Sequence, residues 1–416
     1  RYGTVTGVQT CALPILGTGG FALAMMDEGT RDKNALEIAA EAEMLGARIS
    51  TGSDLDMSTA SLSALKANLG PSLDLFAEVV REPAFDEQEI ERLRKRWLGD
   101  IQQEKNNPVQ LALRNLPPLI FGEGHAYGIP FTGSGTEESI ASLTRDDLVN
   151  WHQTWIRPSN GTLFVVGDTT MEEILPMLNK RFGKWRENRM AVPRKNISTV
   201  AMAEESVIFI IDKPGAPQSL ILAGHIAPPT GVENNLDIIT MNDVIGGSFT
   251  ARVNMNLRED KGWAYGARTM MMDARGQRPF IVYAPVQTDK TIDSIAELNR
   301  EFDEYLGIRP ATQDELNKSV RNNVNSLPGQ FETASAVMGT LQNNDRFGRP
   351  DDYVTTLKGR YEAVNLEGVQ GAAEQVMHPE RLTWLIVGDR EKIEADLTAM
   401  GLGTVRIMDV DGQVIE

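Results

Sequence analysis

Apolar positions recur with helical spacing in ALEIAAEAEML, Ala35 to Leu45, a run of strong helix formers, and Gly46 follows as a C-cap. Just upstream, GGFALAMMDEGT, Gly19 to Thr30, reads as the start of an apolar helix that ends in an acidic, glycine-containing turn. The pattern then switches to period 2. ARISTGSDLDMSTASLSALK alternates small or apolar residues with polar ones, the signature of two adjacent strands. SLDLFAEVVREPAF and DEQEIERLRKRWLGDIQQEK predict two helices separated by a proline-containing joint. Asp86 to Glu89 place acidic charge in the first turn of the second, where the helix dipole favours it. NGTLFVVGD, Asn160 to Asp168, predicts a strand, and MEEILPMLNKRFGKW an amphipathic segment after it.

Much of this order recurs. RLTWLIVGD, Arg381 to Asp389, again ends a strand in Val-Gly-Asp and is followed by a helical segment, EKIEADLTAMGLG. Gly167 and Gly388 lie 221 positions apart, and Glu89 and Glu315, in the similar stretches FDEQEIERLRKRWLGDI and ATQDELNKSVRNNVNSL, lie 226 apart. Two matches at nearly one offset predict duplicated domains. Each is expected to be an α+β layered fold, an antiparallel-rich sheet covered by helices. The seam is expected in the polar stretch Arg186 to Ser206, giving a first domain at 16–190, a linker at 191–205 and a second domain at 206–416. At 416 residues, two domains are also the natural prior.

Charge narrows the function classes. The 58 acidic against 41 basic residues, a net charge of −17, argue against a nucleic-acid or anionic-membrane binder, which needs a basic face. An acidic solubility surface is the simplest reading, and recruitment of cationic peptides is compatible with it. No apolar run reaches about 18 residues, so no transmembrane helix is expected. Cys11 is the single cysteine, which excludes an internal disulfide framework and a thiolate metal cluster. Residues 1–15 are set aside, because VTGVQTCALPI, Val5 to Ile15, looks like a translated sequencing adapter. Localisation is close to unreadable; the bacterial periplasm is the expectation over the cytoplasm.

The candidate chemistry is sparse. No two of His125, His152, His225 and His378 lie three to five residues apart, so no helix presents a histidine pair to zinc. His125, in GEGHAYG, is expected to be a surface or hydrogen-bonding residue, and the other three are lone. No G-x-S-x-G occurs, and GGSF lacks that pattern.

The runs GFALAMMDEGT, LGARISTGSDLDMSTASLSALKANL, LFAEVVREPAFDEQEIERLRKRWLGDIQQEKNNP, GEGHAYGIPFTG and LTRDDLVNWHQTWIRPSNGTLFVVGD, followed by IGGSFTARVNMNLREDKGWAYGA, resemble the pitrilysin/insulinase family of inverted-zincin metallopeptidases. The resemblance runs from Leu16 to the C-terminus and implies two α+β domains of shared fold. It also implies that roughly 40–60 residues, with the opening strands of the first domain, are missing before Leu16.

Catalytic members carry H-x-x-E-H on a helix, with the two imidazoles on zinc and the glutamate activating water. In this register Gly20 stands at the first histidine, Leu23 at the glutamate and Ala24 at the second histidine. The third ligand position, 76 residues beyond Ala24, falls on Asp100, and a helper glutamate position falls on Leu93. One carboxylate cannot hold catalytic zinc. Phe21, Leu23 and Met25 with Ala22 and Ala24 make an ordinary core helix instead.

NLREDKGWAYG keeps another family feature, an arginine and a tyrosine seven apart, Arg258 and Tyr265, with Gly262 ending the helix between them. The resemblance gives this pair a role in holding the substrate backbone and stabilising the oxyanion. A fixed cation and a phenolic donor suit developing negative charge. On spacing alone, a surface ion pair with Glu259 or Asp260 and a core tyrosine would serve equally. Gly246 and Gly247 of GGSF fit either a substrate-contacting loop or a tight helix entry.

The resulting expectation is a non-catalytic half of a zinc metallopeptidase, binding no metal itself and closing on a partner, separate or fused, that carries H-x-x-E-H. Its substrates would be peptides. The alternatives are an inert scaffold resembling the core subunits of respiratory complexes, and a peptide-binding protein.

Overall fold

The computed structural model describes residues 16–187 and 191–416. The adapter-like segment and Cys11 lie outside the described residues.

The first part of the chain runs α1 (Thr18–Ala24), α2 (Ala35–Leu45), β1 (Arg48–Ser53), β2 (Ser58–Ser63), α3 (Leu69–Arg81), α4 (Glu87–Asn106), α5 (Pro108–Phe121), α6 (Glu137–Ser142), α7 (Arg145–Trp155) and α8 (Met171–Phe182). The second runs β3 (Val207–Asp212), β4 (Gln218–Ala227), α9 (Asn235–Asn242), α10 (Arg252–Asn254), β5 (Arg268–Met271), β6 (Arg278–Gln287), α11 (Thr291–Leu306), α12 (Gln313–Ser326), α13 (Ala334–Arg346), α14 (Tyr353–Ala363), α15 (Leu366–Val376), β7 (Thr383–Gly388), α16 (Arg390–Ala399) and β8 (Thr404–Met408). The mixture of helices and sheets is an α+β fold.

Two compact units form, and they are interleaved along the chain. One takes the described residues up to Gln103, then Phe131–Asn196 and Gly329–Arg349; the other takes Glu104–Pro130, Ile197–Pro328 and Pro350–Glu416. These are not the contiguous stretches 16–190 and 206–416. Helix α5 belongs with the second unit because its apolar face packs on β4 and β7, with Leu116 against the backbone of Gly224. The segment bearing α13 belongs with the first, where Arg346 donates to Asp54 at 2.9 Å and Asp56 at 3.3 Å. Residues 191–203 contain neither helix nor strand, and Val200 donates to the Gln277 side chain at 2.8 Å.

In the first unit local signals decide the boundaries. Asn34 and Glu37 form a reciprocal capping box at the start of α2, and Gly46 ends it in a left-handed conformation, φ 61°. The period-2 stretch folds as the β1–β2 antiparallel hairpin, Arg48 opposite Ser63. Phe21, Met25, Phe76, Val80, Leu93, Ile101, Trp151 and Trp155 form the core. The strand expected at Asn160 to Asp168 is reduced to single bridge residues at Thr162 and Phe164.

The second unit is built on a six-stranded sheet of order β5-β6-β4-β7-β3-β8. Strand β3 runs parallel to β7 and β8, whereas β4 pairs antiparallel with both β6 and β7. The sheet is therefore mixed. Helices α5 and α11 both pack on β4. From Ser219 to Ala227 that strand is buried without interruption, as a strand covered on both faces should be.

Candidate functional site

Helix α1 opens at Gly17, whose φ of 84° suits glycine, and it closes after two turns at Ala24. Phe21, Ala22, Leu23 and Met25 are buried, and Gly20 and Ala24 are half-buried. A Cβ at Gly20 would sit 3.2 Å from the carbonyl oxygen of Gly133 and 3.7 Å from the Trp97 ring. Trp97 is fixed there: its indole N–H donates to Ser134 O at 2.8 Å, and its ring lies 5.4 Å from that of Phe21. Leu93, one turn earlier on α4, is fully buried in the same core, whereas Asp100 is exposed. The Leu23 carbonyl accepts from Thr51 Oγ1 at 2.9 Å.

The zinc positions therefore do not fit zinc. Gly20, Leu23 and Ala24 offer no donor atom, Trp97 and the Gly133 carbonyl close over Gly20, and Asp100 faces solvent. Among the described residues no group of three or more His, Cys, Asp or Glu side chains is arranged to hold a metal ion.

The histidines are all engaged locally. His125, expected at the surface or in a hydrogen bond, is buried: it stacks on Phe121 at 4.9 Å, and its Nδ1 accepts from the Tyr127 N–H at 3.0 Å. His152 donates from Nε2 to Val80 O at 2.8 Å, and burial lowers its pKa. His225 donates from Nδ1 to Ile226 O at 3.0 Å and stacks on Phe280, and burial depresses its pKa to about 4. His378 lies with its Nδ1 3.6 Å from Glu380.

In the second unit Gly246 and Arg258 both lie in π-helical turns, Asp243–Gly247 and Met255–Asp260. Such single π turns are frequent at functional sites. Gly246 is required by packing: a Cβ would come within 2.3 Å of Thr269 Oγ1 and 2.4 Å of Thr269 N. Gly247 is exposed, and its Cβ would meet the Asn242 side chain at 2.5 Å. The glycine pair thus lets the turn lie directly on β5 and α9.

Gly262, at φ 66°, ends the helix beyond Arg258, and the chain turns toward β5. Tyr265 is 84% exposed rather than in the core. The guanidinium carbon of Arg258 lies 5.4 Å from the Tyr265 ring centre and 4.7 Å from that of Phe249, which is 63% exposed. Arg258 also pairs with Glu259 at 3.3 Å, an exposed contact that holds it only weakly. Two aromatic faces around one cation hold the charge at the surface without neutralising it.

Asn254, buried on α10, fixes the two segments that flank Arg258. Its Nδ2 donates to Phe249 O at 2.6 Å, and its Oδ1 accepts from the Ala267 N–H at 3.0 Å. Neither Phe249 nor Asn254 stands out in the sequence reading. The one available signal was an aromatic residue directly after Gly-Gly-Ser.

Fold and site together define an α+β chain in which Gly20, Leu23 and Ala24 pack beside Trp97 and offer no metal donor. Residues 14–127 match the model of the insulinase family (peptidase family M16), and residues 142–323 match that of the peptidase M16 inactive domain. The chain belongs to the peptidase M16 (insulinase) family. It is 24% identical over 371 residues to an uncharacterized zinc protease, YmxG, of Bacillus subtilis, covering 89% of this chain and 88% of that one. It is 21% identical over 382 residues to the non-peptidase homolog YmxG of Helicobacter pylori, covering 91% and 85%. The peptidase M16 inactive domain from Pseudomonas fluorescens has the same fold, with a TM-score of 0.83 at 22% identity and 92% of each chain covered. The first half of the periplasmic protease PqqL from Escherichia coli superposes with a TM-score of 0.73 at 16% identity, covering 96% of this chain and 90% of that one. Within these 416 residues, this family member carries no H-x-x-E-H motif.

Proposed function

We propose that the chain is the non-catalytic half of a zinc metallopeptidase. It closes on an H-x-x-E-H-bearing partner, separate or fused, and supplies Arg258 and Tyr265 to the bound peptide. Arg258 meets the peptide backbone and the charge that develops on the scissile carbonyl, while the Tyr265 hydroxyl donates to the same oxygen. The metal and the activated water belong to the partner, so no step of hydrolysis uses Gly20, Leu23, Ala24 or Asp100.

One observation carries this reading. Gly20 and Leu23 are closed in by Trp97 and buried apolar groups, whereas Tyr265 stands exposed and the half-buried Arg258 lies against two aromatic rings. A chain serving only as scaffold has no need to display that pair. Similarity to the first half of a larger protease fits a chain that works as one half of an enzyme.

Isolated, the chain should bind no stoichiometric zinc and cleave no peptide. In the assembled pair, Arg258→Ala should lower kcat about 10²-fold or more and Tyr265→Phe about 10-fold, in the range of oxyanion-donor losses, with assembly unchanged by gel filtration. Turnover intact in both variants would establish the scaffold alternative. Zinc-dependent hydrolysis by the isolated chain would overturn the reading altogether.

A further inference from the structure

A cavity of about 600 Å³ in the first unit has a charge opposite to that of the chain. It lies between the end of α3, helix α7 with Arg157 beyond it, and the segment after α8. Five cations line it, Arg81, Arg145, Arg157, Lys184 and Arg186, against one carboxylate, Glu187. On a protein of net charge −17, that concentration of positive charge departs from the overall field.

Among the described residues, three of these cations, Arg145, Lys184 and Arg186, are not neutralised by a carboxylate. Arg145 donates from Nε to Phe85 O at 3.0 Å and from Nη2 to Ala84 O at 3.1 Å, so neutral carbonyls hold the guanidinium in place. Arg81 donates from Nη1 to Arg181 O at 2.7 Å, and its contact with Glu82 is 3.5 Å. Arg157 is 4% exposed. Lys184 and Arg186 are exposed, and among the described residues neither has a carboxylate at ion-pair distance. Glu187 accepts from the Ser159 N–H at 2.9 Å and also feels the charge of Arg157, both of which lower its pKa. The remaining wall is mixed, with His152 and Gln153 beside buried Phe85 and half-buried Trp185.

A guanidinium fixed by carbonyls keeps its full charge and presents its remaining N–H groups in a rigid fork, the geometry that binds phosphate and carboxylate groups. Several such charges around one cavity repel each other unless an anion sits among them. The volume exceeds that needed for a single inorganic anion and falls within the range of small-molecule sites. We propose that this cavity is a binding site for a small polyanion, a compact molecule carrying two or more phosphate or carboxylate groups. The site is independent of Arg258 and Tyr265, and the inference stands whether or not the chain serves a peptidase.

Calorimetric titration of the full chain at 150 mM salt, with tripolyphosphate and with citrate as probes, tests it. Saturable one-site binding of either probe is expected, and the stronger of the two identifies phosphate or carboxylate as the natural group. The double variant Lys184→Glu/Arg186→Glu changes two exposed side chains with no structural bonds and should weaken binding at least tenfold. Lys95→Glu, an exposed cation on α4, should leave it unchanged. Absence of saturable binding by both probes overturns the site, and so does equal binding by the wild type and the double variant. Arg145→Lys keeps a charge but loses the fork, and binding weakened at least threefold is expected from it; undiminished binding would count against the proposal.

Discussion

Leu23→Glu places a carboxylate at the position that the family register assigns to the water-activating glutamate and asks whether this fold can accept it. Leu23 is 2% exposed and packs within the core that includes Phe21 and Leu93. Losing the buried leucine costs about 1.5–3 kcal/mol. A glutamate there has no cation or metal to meet, so it must be buried neutral. Protonating it at pH 7, about 2.7 units above its ordinary value, costs roughly 3.7 kcal/mol at 1.36 kcal/mol per unit. The sum, about 5–7 kcal/mol, approaches the whole stability of many domains. The folded state holds the proton more tightly than the unfolded chain, so the penalty grows as pH rises above the unfolded value and shrinks as pH falls toward it. Urea unfolding of wild type, Leu23→Glu and Leu23→Met at pH 7 and pH 5 measures this. The Glu variant should recover about 2–3 kcal/mol relative to wild type at pH 5. The Met variant should lose less than about 1.5 kcal/mol at either pH. A loss below about 1.5 kcal/mol for Leu23→Glu at pH 7, with no pH dependence, would show that the position is not sealed by apolar packing.

Two further outcomes follow from buried groups. Gly246→Ala drives a methyl group into the backbone of Thr269, which cannot rotate away, so a loss of about 1–3 kcal/mol or more is expected by thermal or urea unfolding; an unchanged midpoint would refute the close approach. His225 is held neutral by burial, with its pKa near 4 against about 6.5 unfolded. Its contribution is complete above pH 6.5 and is lost as pH falls toward 4, up to about 3 kcal/mol. The acid limb of the stability–pH profile should flatten in His225→Phe, and an identical limb would exclude the histidine as its cause.

How much of this was legible beforehand varies with the range of the interaction involved. Capping residues wrote the limits of α2 into the chain, because Asn34, Glu37 and Gly46 act within one turn. Alternation wrote the β1–β2 hairpin, and acidic residues marked the start of α4. The family register alone located Gly20, Leu23 and Ala24. The stretch Asn160 to Asp168 keeps only bridge residues at Thr162 and Phe164. Helix α5 and the α13 segment joined the other unit because periodicity reveals that a face is apolar, not which sheet or carboxylates will cover it.

The site divides along the same line. By itself the sequence determined that Gly20, Leu23 and Ala24 carry no metal-donor side chain and that Arg258 and Tyr265 are present, because both are matters of residue type at fixed spacing. Only the tertiary structure decided that Trp97 and the Gly133 carbonyl close over Gly20, and that Phe249 and Tyr265 flank Arg258 with Asn254 tying their segments together. It alone gathered five cations from three separate stretches of an acidic chain around one cavity. Those arrangements depend on contacts between residues far apart in sequence, which only the packed fold brings within reach.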